Sequence, residues 1–181
     1  MAADLEARLA RVEAVLAVTQ LIHAGARAND RKDVAAMRAC YWPGATVHHG
    51  GYSGSADGFV DYALPIMALC LWAAHHVSNT TVEVSGVRAL AESHYFAHHR
   101  RTAANGEGEE DAFFEGRYID LLECRAGEWR ILHRRGISDY TGAVPATNRH
   151  GDWPTGTHSE PFPDDDYYRL VDAFRSEAAL P

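Results

Sequence analysis

Six of the eleven histidines in this chain stand next to one another in pairs. The pairs are His48-His49, His75-His76 and His98-His99. Imidazole is the side chain whose charge changes nearest to neutral pH, and it is also the commonest metal ligand in proteins. The pairs therefore indicate either acid–base chemistry or a metal site.

The spacing within each pair disfavours a metal site. Histidine ligands on a strand must share a face, as in His-x-His, and the sequence contains no His-x-His. Adjacent residues on a strand point to opposite faces, so we expect at most one histidine of each pair to enter a given pocket. We expect the other histidines to lie at the surface or in an interface, and we predict no metal site.

Hydrophobic spacing predicts helices in the first part of the chain. An apolar stripe recurs in steps of three and four, which predicts a helix that ends near Arg27. The stripe comprises Leu5, Leu9, Val12, Leu16, Thr19 and Ile22. Two shorter helices are predicted at about 32–40 and 56–69, with a short strand at 46–48 and a glycine-rich loop at 49–54 between them.

The second part of the chain has the composition of strands. Strands are predicted at about 72–84, 88–101, 112–124 and 128–140. The short turns between them imply antiparallel neighbours, and helices followed by such a sheet predict an α+β fold. Residues 141–163 are predicted to form an extended tail without a core, followed by a terminal helix at about 164–179.

The last predicted strand shows where a pocket would open. One of its faces carries Trp129, Ile131, His133, Arg135, Ile137 and Asp139. This face begins apolar and ends polar, which is typical of a core that opens into a polar pocket. Because a charged side chain on an apolar face needs a partner, we expect Arg135 and Asp139 to line that pocket. The alternative is that Arg135 is an exposed or paired arginine on the sheet.

Composition excludes several functional classes. Lys and Arg number 17 against 25 for Asp and Glu, so the formal net charge is −8 and we expect no binding to nucleic acid. The N-terminus lacks the basic start and apolar run of a signal peptide, and the longest apolar stretch, about 63–74, is interrupted by Pro65. We therefore expect a soluble cytoplasmic protein without a membrane segment. The odd count of three distant cysteines disfavours a disulfide framework.

Four segments carry a family resemblance: Ala28–Val34, His49–Gly54, His75–Asn79 and the paired stretches Gly116–Asp120 and Trp129–Arg135. In their order and spacing they resemble SnoaL-like proteins of the NTF2-like superfamily. The resemblance covers roughly residues 5–140. It implies a cystatin-like α+β cone, in which N-terminal helices pack on a curved antiparallel sheet that encloses a pocket. It also divides the chain into a domain at 1–140 and a C-terminal extension at 141–181.

The resemblance also implies a chemistry. Family members include dehydratases, a dehydrochlorinase and polyketide cyclases, and most need no cofactor. We therefore expect a cofactor-independent lyase or isomerase that acts on a small hydrophobic cyclic molecule. Asp30 and His75 match the family's proton-abstracting pair, in which the carboxylate orients the imidazole. A strand bulge would put His76 in the place of His75. Arg135 matches an arginine that stabilises an enolate or a leaving anion.

Further residues are expected to bind the substrate. Tyr52 matches a tyrosine that holds the substrate oxygen in scytalone dehydratase. His98 or His99, of which we predict His99, matches that enzyme's second histidine. Asn79 is expected to donate a hydrogen bond in the pocket or to tie the strand. Asn29 stands where that enzyme has a tyrosine, so a mechanism that needs this phenol does not carry over. The apolar wall is expected to include Trp42, Phe59, Trp72, Tyr95, Phe114 and Tyr118.

Two other functions stay open. An NTF2-like domain that binds a ligand or dimerises without catalysis would have Asp30 and His75 out of reach of each other, or a pocket filled by side chains. A metalloenzyme would use the paired histidines as ligands. Family members are commonly homodimers or homotrimers that pack through the outer face of the sheet, and we expect such an oligomer here.

Overall fold

The computed structural model describes residues 2–103, 105–152 and 158–176. Its helices are α1 (Ala2–Asp30), α2 (Val34–Ala39), α3 (Ala56–Ala68) and α4 (Asp166–Ser176). Its strands are β1 (Tyr41–His49), β2 (Tyr52–Ser55), β3 (Cys70–Ser85), β4 (Arg88–Thr102), β5 (Glu109–Arg125) and β6 (Glu128–Pro145). Each predicted helix and strand is present, but β1 is longer than the predicted strand at 46–48, β6 extends into the predicted tail, and the glycine-rich segment contains the strand β2. The end of the predicted terminal helix, 177–179, lies outside the described residues.

The six strands form one curved, open sheet in the order β2-β1-β6-β5-β4-β3. The strands from β3 to β6 are consecutive antiparallel neighbours, as their short turns predict. The sheet is nevertheless mixed and not antiparallel throughout, because β1 pairs in parallel with β6. Parallel pairing requires a long connection, and the chain from β2 to β5 separates these two strands. Helices α1, α2 and α3 cover one face of the sheet, which forms the predicted α+β cone.

The main core lies between the second half of α1 and the inner face of the sheet. Val18 and Ile22 of α1 are buried in one cluster with Val47, Leu122 and Ile131 from three strands. Removing this apolar surface from water stabilises the placement of the helix on the sheet. The end of α1 is thereby held close to β3, which positions the candidate site described below.

The apolar stripe predicted along α1 faces this core only at its last member, Ile22. Its exposed members are Leu5 (63%), Leu9 (54%), Val12 (64%) and Leu16 (59%). The buried side of the helix is formed instead by Ala14, Val18 and Ile22. By length and composition the stretch Asp4–Asp30 is apolar enough to cross a membrane, a test that core helices of globular proteins also pass.

The segment after β6 returns to the end of α1. The backbone N–H of Phe162 donates to the carbonyl of Arg31 at 2.6 Å. The hydroxyl of Tyr168 donates to the carboxylate of Asp33 at 3.2 Å, and the guanidinium of Arg27 lies 4.4 Å from the centre of the Tyr167 ring. The C-terminal extension therefore packs against its own chain beside the site. β6 also continues beyond the predicted end of the last strand.

Candidate active site

A cavity of about 370 Å³ lies between the helices and the inner face of the sheet. This volume falls in the range of small-molecule binding sites. Its aromatic wall consists of Tyr41, Phe59, Tyr62, Tyr95, Phe114 and Tyr118. Trp42 and Trp72, which we predicted for the wall, lie elsewhere. The indole N–H of Trp42 donates to the carbonyl of Glu123 at 2.9 Å, and Trp72 packs against His98 with ring centres 4.6 Å apart.

Asp30 at the end of α1 meets His75 of β3 at the cavity wall. Nδ1 of His75 lies 2.6 Å from one oxygen of Asp30, and the backbone N–H of His75 donates to the other oxygen at 3.0 Å. The His75 and Asp30 side chains are only 9% and 12% exposed. These two contacts fix the carboxylate against the ring. When Nδ1 carries the shared proton, Nε2 keeps its lone pair.

Strand alternation divides each histidine pair between the two faces of the sheet, as predicted. His49, His75 and His99 line the cavity, and their neighbours in each pair do not. His76 is exposed, so His75 is the cavity histidine of its pair. In the described part of the chain, no group of three or more His, Cys, Asp or Glu side chains is arranged to hold a metal ion.

Two of the cavity histidines hold ring nitrogens without a hydrogen-bond partner among the described residues. They are Nδ1 of His49 and Nε2 of His99, and both atoms are buried. Burial lowers the pKa of both imidazoles to about 4, and the positive charge of Arg134 adds to the effect at His49. Both rings are therefore neutral at neutral pH. Nδ1 of His49 lies against Gly136, where a Cβ would come within 1.7 Å of it, and a buried nitrogen is costly to leave unpaired.

The arginine in the cavity is Arg134, and the predicted position of Arg135 in the pocket is wrong. Arg134 lines the cavity, whereas Arg135 is exposed. The register of β5 and β6 shifts between Leu121 and Leu122, where β6 carries one extra residue. Such a bulge inverts the alternation of side chains beyond it. Arg134 therefore shares the inner face with Ile131.

Arg134 is held at the wall by a buried carboxylate. It makes two hydrogen bonds of 2.7 Å with Asp120, whose side chain is 1% exposed. Burial by itself would lower the pKa of Arg134, but Asp120, together with Tyr41 and Tyr118, outweighs burial and raises that pKa. The guanidinium also lies 4.3 Å from the ring centre of Tyr118, which stacks on Tyr95 at 4.5 Å. Tyr95 and Tyr118 thus lie at the wall, as predicted.

Three residues predicted for the pocket lie outside it. The hydroxyl of Tyr52 donates to the carbonyl of Ser55 at 2.9 Å, and its ring packs on α3. Asn79 is exposed at a register shift of β3 with φ 49°, a left-handed conformation that asparagine adopts more readily than most residues. Asp139 is exposed and lies 3.9 Å from Arg117. Each of these side chains is oriented by local backbone geometry that the residue pattern does not display.

Sequence reasoning missed several residues of the cavity. His49, Arg134 and Lys32 line it, and Nζ of Lys32 donates to the carbonyl of Cys70 at 2.7 Å. Asp120 could have been predicted as a buried residue with a charged partner, because a carboxylate inside an apolar strand needs such a partner. The adjacency of two histidines was the only signal for His49.

Comparison with known proteins finds a matching family and solved structures with a similar fold. A family model for the SnoaL-like domain matches residues 10–135. Hexachlorocyclohexane dehydrochlorinase LinA type 2 superposes with a TM-score of 0.69 at 18% identity, covering 82% of this chain and 99% of that one. A scytalone dehydratase-like protein from Novosphingobium aromaticivorans gives 0.65 at 16% identity, covering 88% and 97%. A Nostoc punctiforme protein with a cystatin-like fold gives 0.56 at 16% identity, covering 68% and 90%.

A comparison with curated proteins finds no match. The family match nevertheless spans more than half of the chain and includes Asp30, His75 and Arg134. The solved structures share its arrangement of helices on a curved sheet. The chain belongs to the SnoaL-like domain family.

Proposed function

We propose that this protein is a cofactor-independent lyase or isomerase that removes a proton from carbon in a small hydrophobic cyclic molecule. The observation that carries the proposal is the contact of 2.6 Å between Asp30 and His75 at the wall of an apolar cavity. A non-catalytic module has no need for a buried carboxylate that orients an imidazole toward an open cavity.

His75 acts as the base in this proposal. With Nδ1 bonded to Asp30, Nε2 accepts the proton from the substrate carbon and later returns it or passes it to a leaving group. The carboxylate of Asp30 holds the required tautomer and stabilises the imidazolium that forms. The backbone N–H of His75 keeps the carboxylate from turning away, because it donates to the second oxygen.

Arg134 supplies the positive charge that the reaction needs. Proton removal next to a carbonyl or a leaving group builds negative charge on the substrate, and a guanidinium at the wall stabilises it. Arg134 thus takes the role that the family resemblance gave to Arg135. Because Asp120 already neutralises Arg134, the site does not select strongly for substrates that are anionic before reaction.

The wall favours a neutral, flat substrate. Tyr95 and Tyr118 present stacked rings along one side, which suits a cyclic molecule. Nε2 of His99, which lies on the cavity wall without a partner among the described residues, provides a hydrogen bond for an oxygen group on the edge of such a molecule. The reaction class therefore extends to cyclic ketones, enols and cyclic alcohols or halides that eliminate.

Deuterium incorporation tests the proposed function without knowledge of the natural substrate. Small cyclic ketones are incubated with the protein in D₂O, and exchange at the carbon next to the carbonyl is followed by mass spectrometry. We expect exchange that His75→Gln abolishes and His76→Gln, the same change on the outer face, leaves intact. Exchange that survives His75→Gln contradicts the assignment of the base. A ketone that binds in the cavity without exchange supports the ligand-binding alternative.

A further inference from the structure

The first three turns of α1 project from the body of the protein. Every residue from 4 to 13 is exposed, including the apolar side chains of Leu5, Leu9 and Val12. A helix segment of this length is marginal in water by itself, and an apolar stripe stabilises it only when a partner covers the stripe. We therefore expect another surface to cover the exposed stripe.

The stripe has the spacing of a coiled-coil seam. Its members are Leu5, Leu9, Val12, Leu16 and Thr19, which repeat in steps of four and three. This is the alternation of the d and a positions of a heptad, with Leu5 at d and Leu9 at a. Ala14 and Val18, which contact the body, lie on the opposite side of the helix. The body therefore leaves the seam exposed from Leu5 to Leu16, and Thr19 at its end is half-buried.

The charged residues beside the seam favour a parallel pairing of two identical helices. Glu6 and Glu13 occupy e positions, and Arg8 occupies a g position on the other flank. In a parallel pair of identical helices, Arg8 of each copy meets Glu13 of the other. An antiparallel pair would bring Glu6 against Glu13 instead. Within its own helix Arg8 makes a contact of 4.0 Å with Asp4, both side chains being 75% exposed.

We propose that residues 5–19 of α1 pair, parallel and in register, with the same segment of a second copy of this chain. This surface is distinct from the outer face of the sheet and does not depend on the proposed function. The seam spans two heptads, which is short for an isolated coiled coil. Anchoring of α1 in the folded body compensates, because the helix is formed before the copies meet.

The charge balance of the projecting segment disfavours a lipid surface as the occupant. Asp4, Glu6 and Glu13 outnumber Arg8 and Arg11 between residues 4 and 13. Helices that lie on membranes carry mainly basic residues beside their apolar face. A second copy with complementary charges fits the segment better.

Disulfide trapping tests the register directly. Val12→Cys and Arg11→Cys are compared in a Cys124→Ser background, since Cys40 and Cys70 are buried. In a parallel pair, residue 12 of one copy faces residue 12 of the other closely enough for a disulfide, whereas residue 11 points outward. We expect covalent dimer from Val12→Cys only. Equal yields from both variants, or none from Val12→Cys, overturn the proposal.

Sedimentation velocity tests the surface independently. We expect the wild type to associate, Leu9→Asp to lower its association state, and Ala7→Asp, at the outward f position, to leave it unchanged. Circular dichroism confirms that each variant is folded. Arg8→Glu should weaken association severalfold, and Arg8→Glu combined with Glu13→Arg should restore it. A monomeric wild type, or an oligomer insensitive to Leu9→Asp, overturns the proposal. So does binding to phosphatidylcholine vesicles that Leu9→Asp abolishes in a monomeric protein.

Discussion

Arg134 and Asp120 lie opposite each other on adjacent strands and form a bidentate ion pair with two contacts of 2.7 Å. The carboxylate is buried, and the guanidinium reaches the cavity wall. The pair places a positive charge in an apolar site without leaving it uncompensated. Its presence on the inner face depends on the bulge in β6.

Arg134→Gln and Arg135→Gln form a matched pair that tests this arrangement. Arg134→Gln leaves Asp120 buried and unpaired, so we expect a loss of about 3–5 kcal/mol in the free energy of unfolding. Arg135 is exposed, and its substitution should change that free energy by no more than about 0.5 kcal/mol. Urea denaturation measures both values.

A double variant separates the pair from general disruption. Asp120→Asn combined with Arg134→Gln removes both charges, so its loss should be smaller than the sum of the two single losses. Additive losses, or equal losses for Arg134→Gln and Arg135→Gln, would show that the ion pair does not stabilise the fold as described.

Gly136 makes room for the His49 ring. A Cβ at residue 136 would lie 1.7 Å from Nδ1 of His49, so Gly136→Ala must displace that ring. We expect Gly136→Ala to destabilise the protein by about 1–3 kcal/mol, the usual cost of overpacking. His49→Ala should relieve most of this cost in the double variant. Thermal denaturation of the four proteins measures the coupling, and Gly136→Ala with wild-type stability would disprove the contact.

The buried histidines predict a pH dependence of stability. The pKa of His49 and of His99 falls from 6.5 to about 4 in the folded protein. Between these pH values the unfolded chain binds protons that the folded chain does not, so stability decreases as pH falls from about 6.5 toward 4. Over this pH range, each histidine should lower the free energy of unfolding by about 3 kcal/mol.

Replacement of one histidine isolates its share of the pH dependence. His49→Phe should flatten the curve of unfolding free energy against pH, whereas His48→Phe, at the exposed neighbour, serves as the matched control. Urea denaturation between pH 4 and 7 provides the curves. An unchanged slope in His49→Phe would mean that its ring is not buried in the neutral form.

The order of elements was predictable because its signals are local. The step pattern before residue 27 and the β-rich runs after residue 70 predict the helices and the long strands. The resemblance to the SnoaL-like family placed Asp30 and His75 together, although 45 residues separate them. Alternation along strands predicted that one histidine of each pair would enter the cavity.

The errors arose where backbone geometry or long-range pairing decides. The bulge in β6 places Arg134 on the inner face where Arg135 was predicted. No residue type at that position indicates a bulge. The left-handed conformation of Asn79 turns it outward in the same way. The parallel pairing of β1 with β6 depends on the closure of the whole sheet. The stripe on α1 has helical spacing, but spacing alone does not tell a core from an exposed seam.

The proposed function depends most directly on the acid–base role of Asp30 with His75. The decisive measurement is the rate of deuterium exchange into a cyclic ketone by Asp30→Asn and by Asp33→Asn. Asp33 caps α2 by accepting the N–H of Ala36 at 3.0 Å, a role that asparagine also fills. We predict that Asp30→Asn lowers the rate by about 10³–10⁴-fold, as loss of an imidazole-orienting carboxylate does, while Asp33→Asn keeps it near that of the wild type. An Asp30→Asn protein that is folded and exchanges at the wild-type rate would contradict the account.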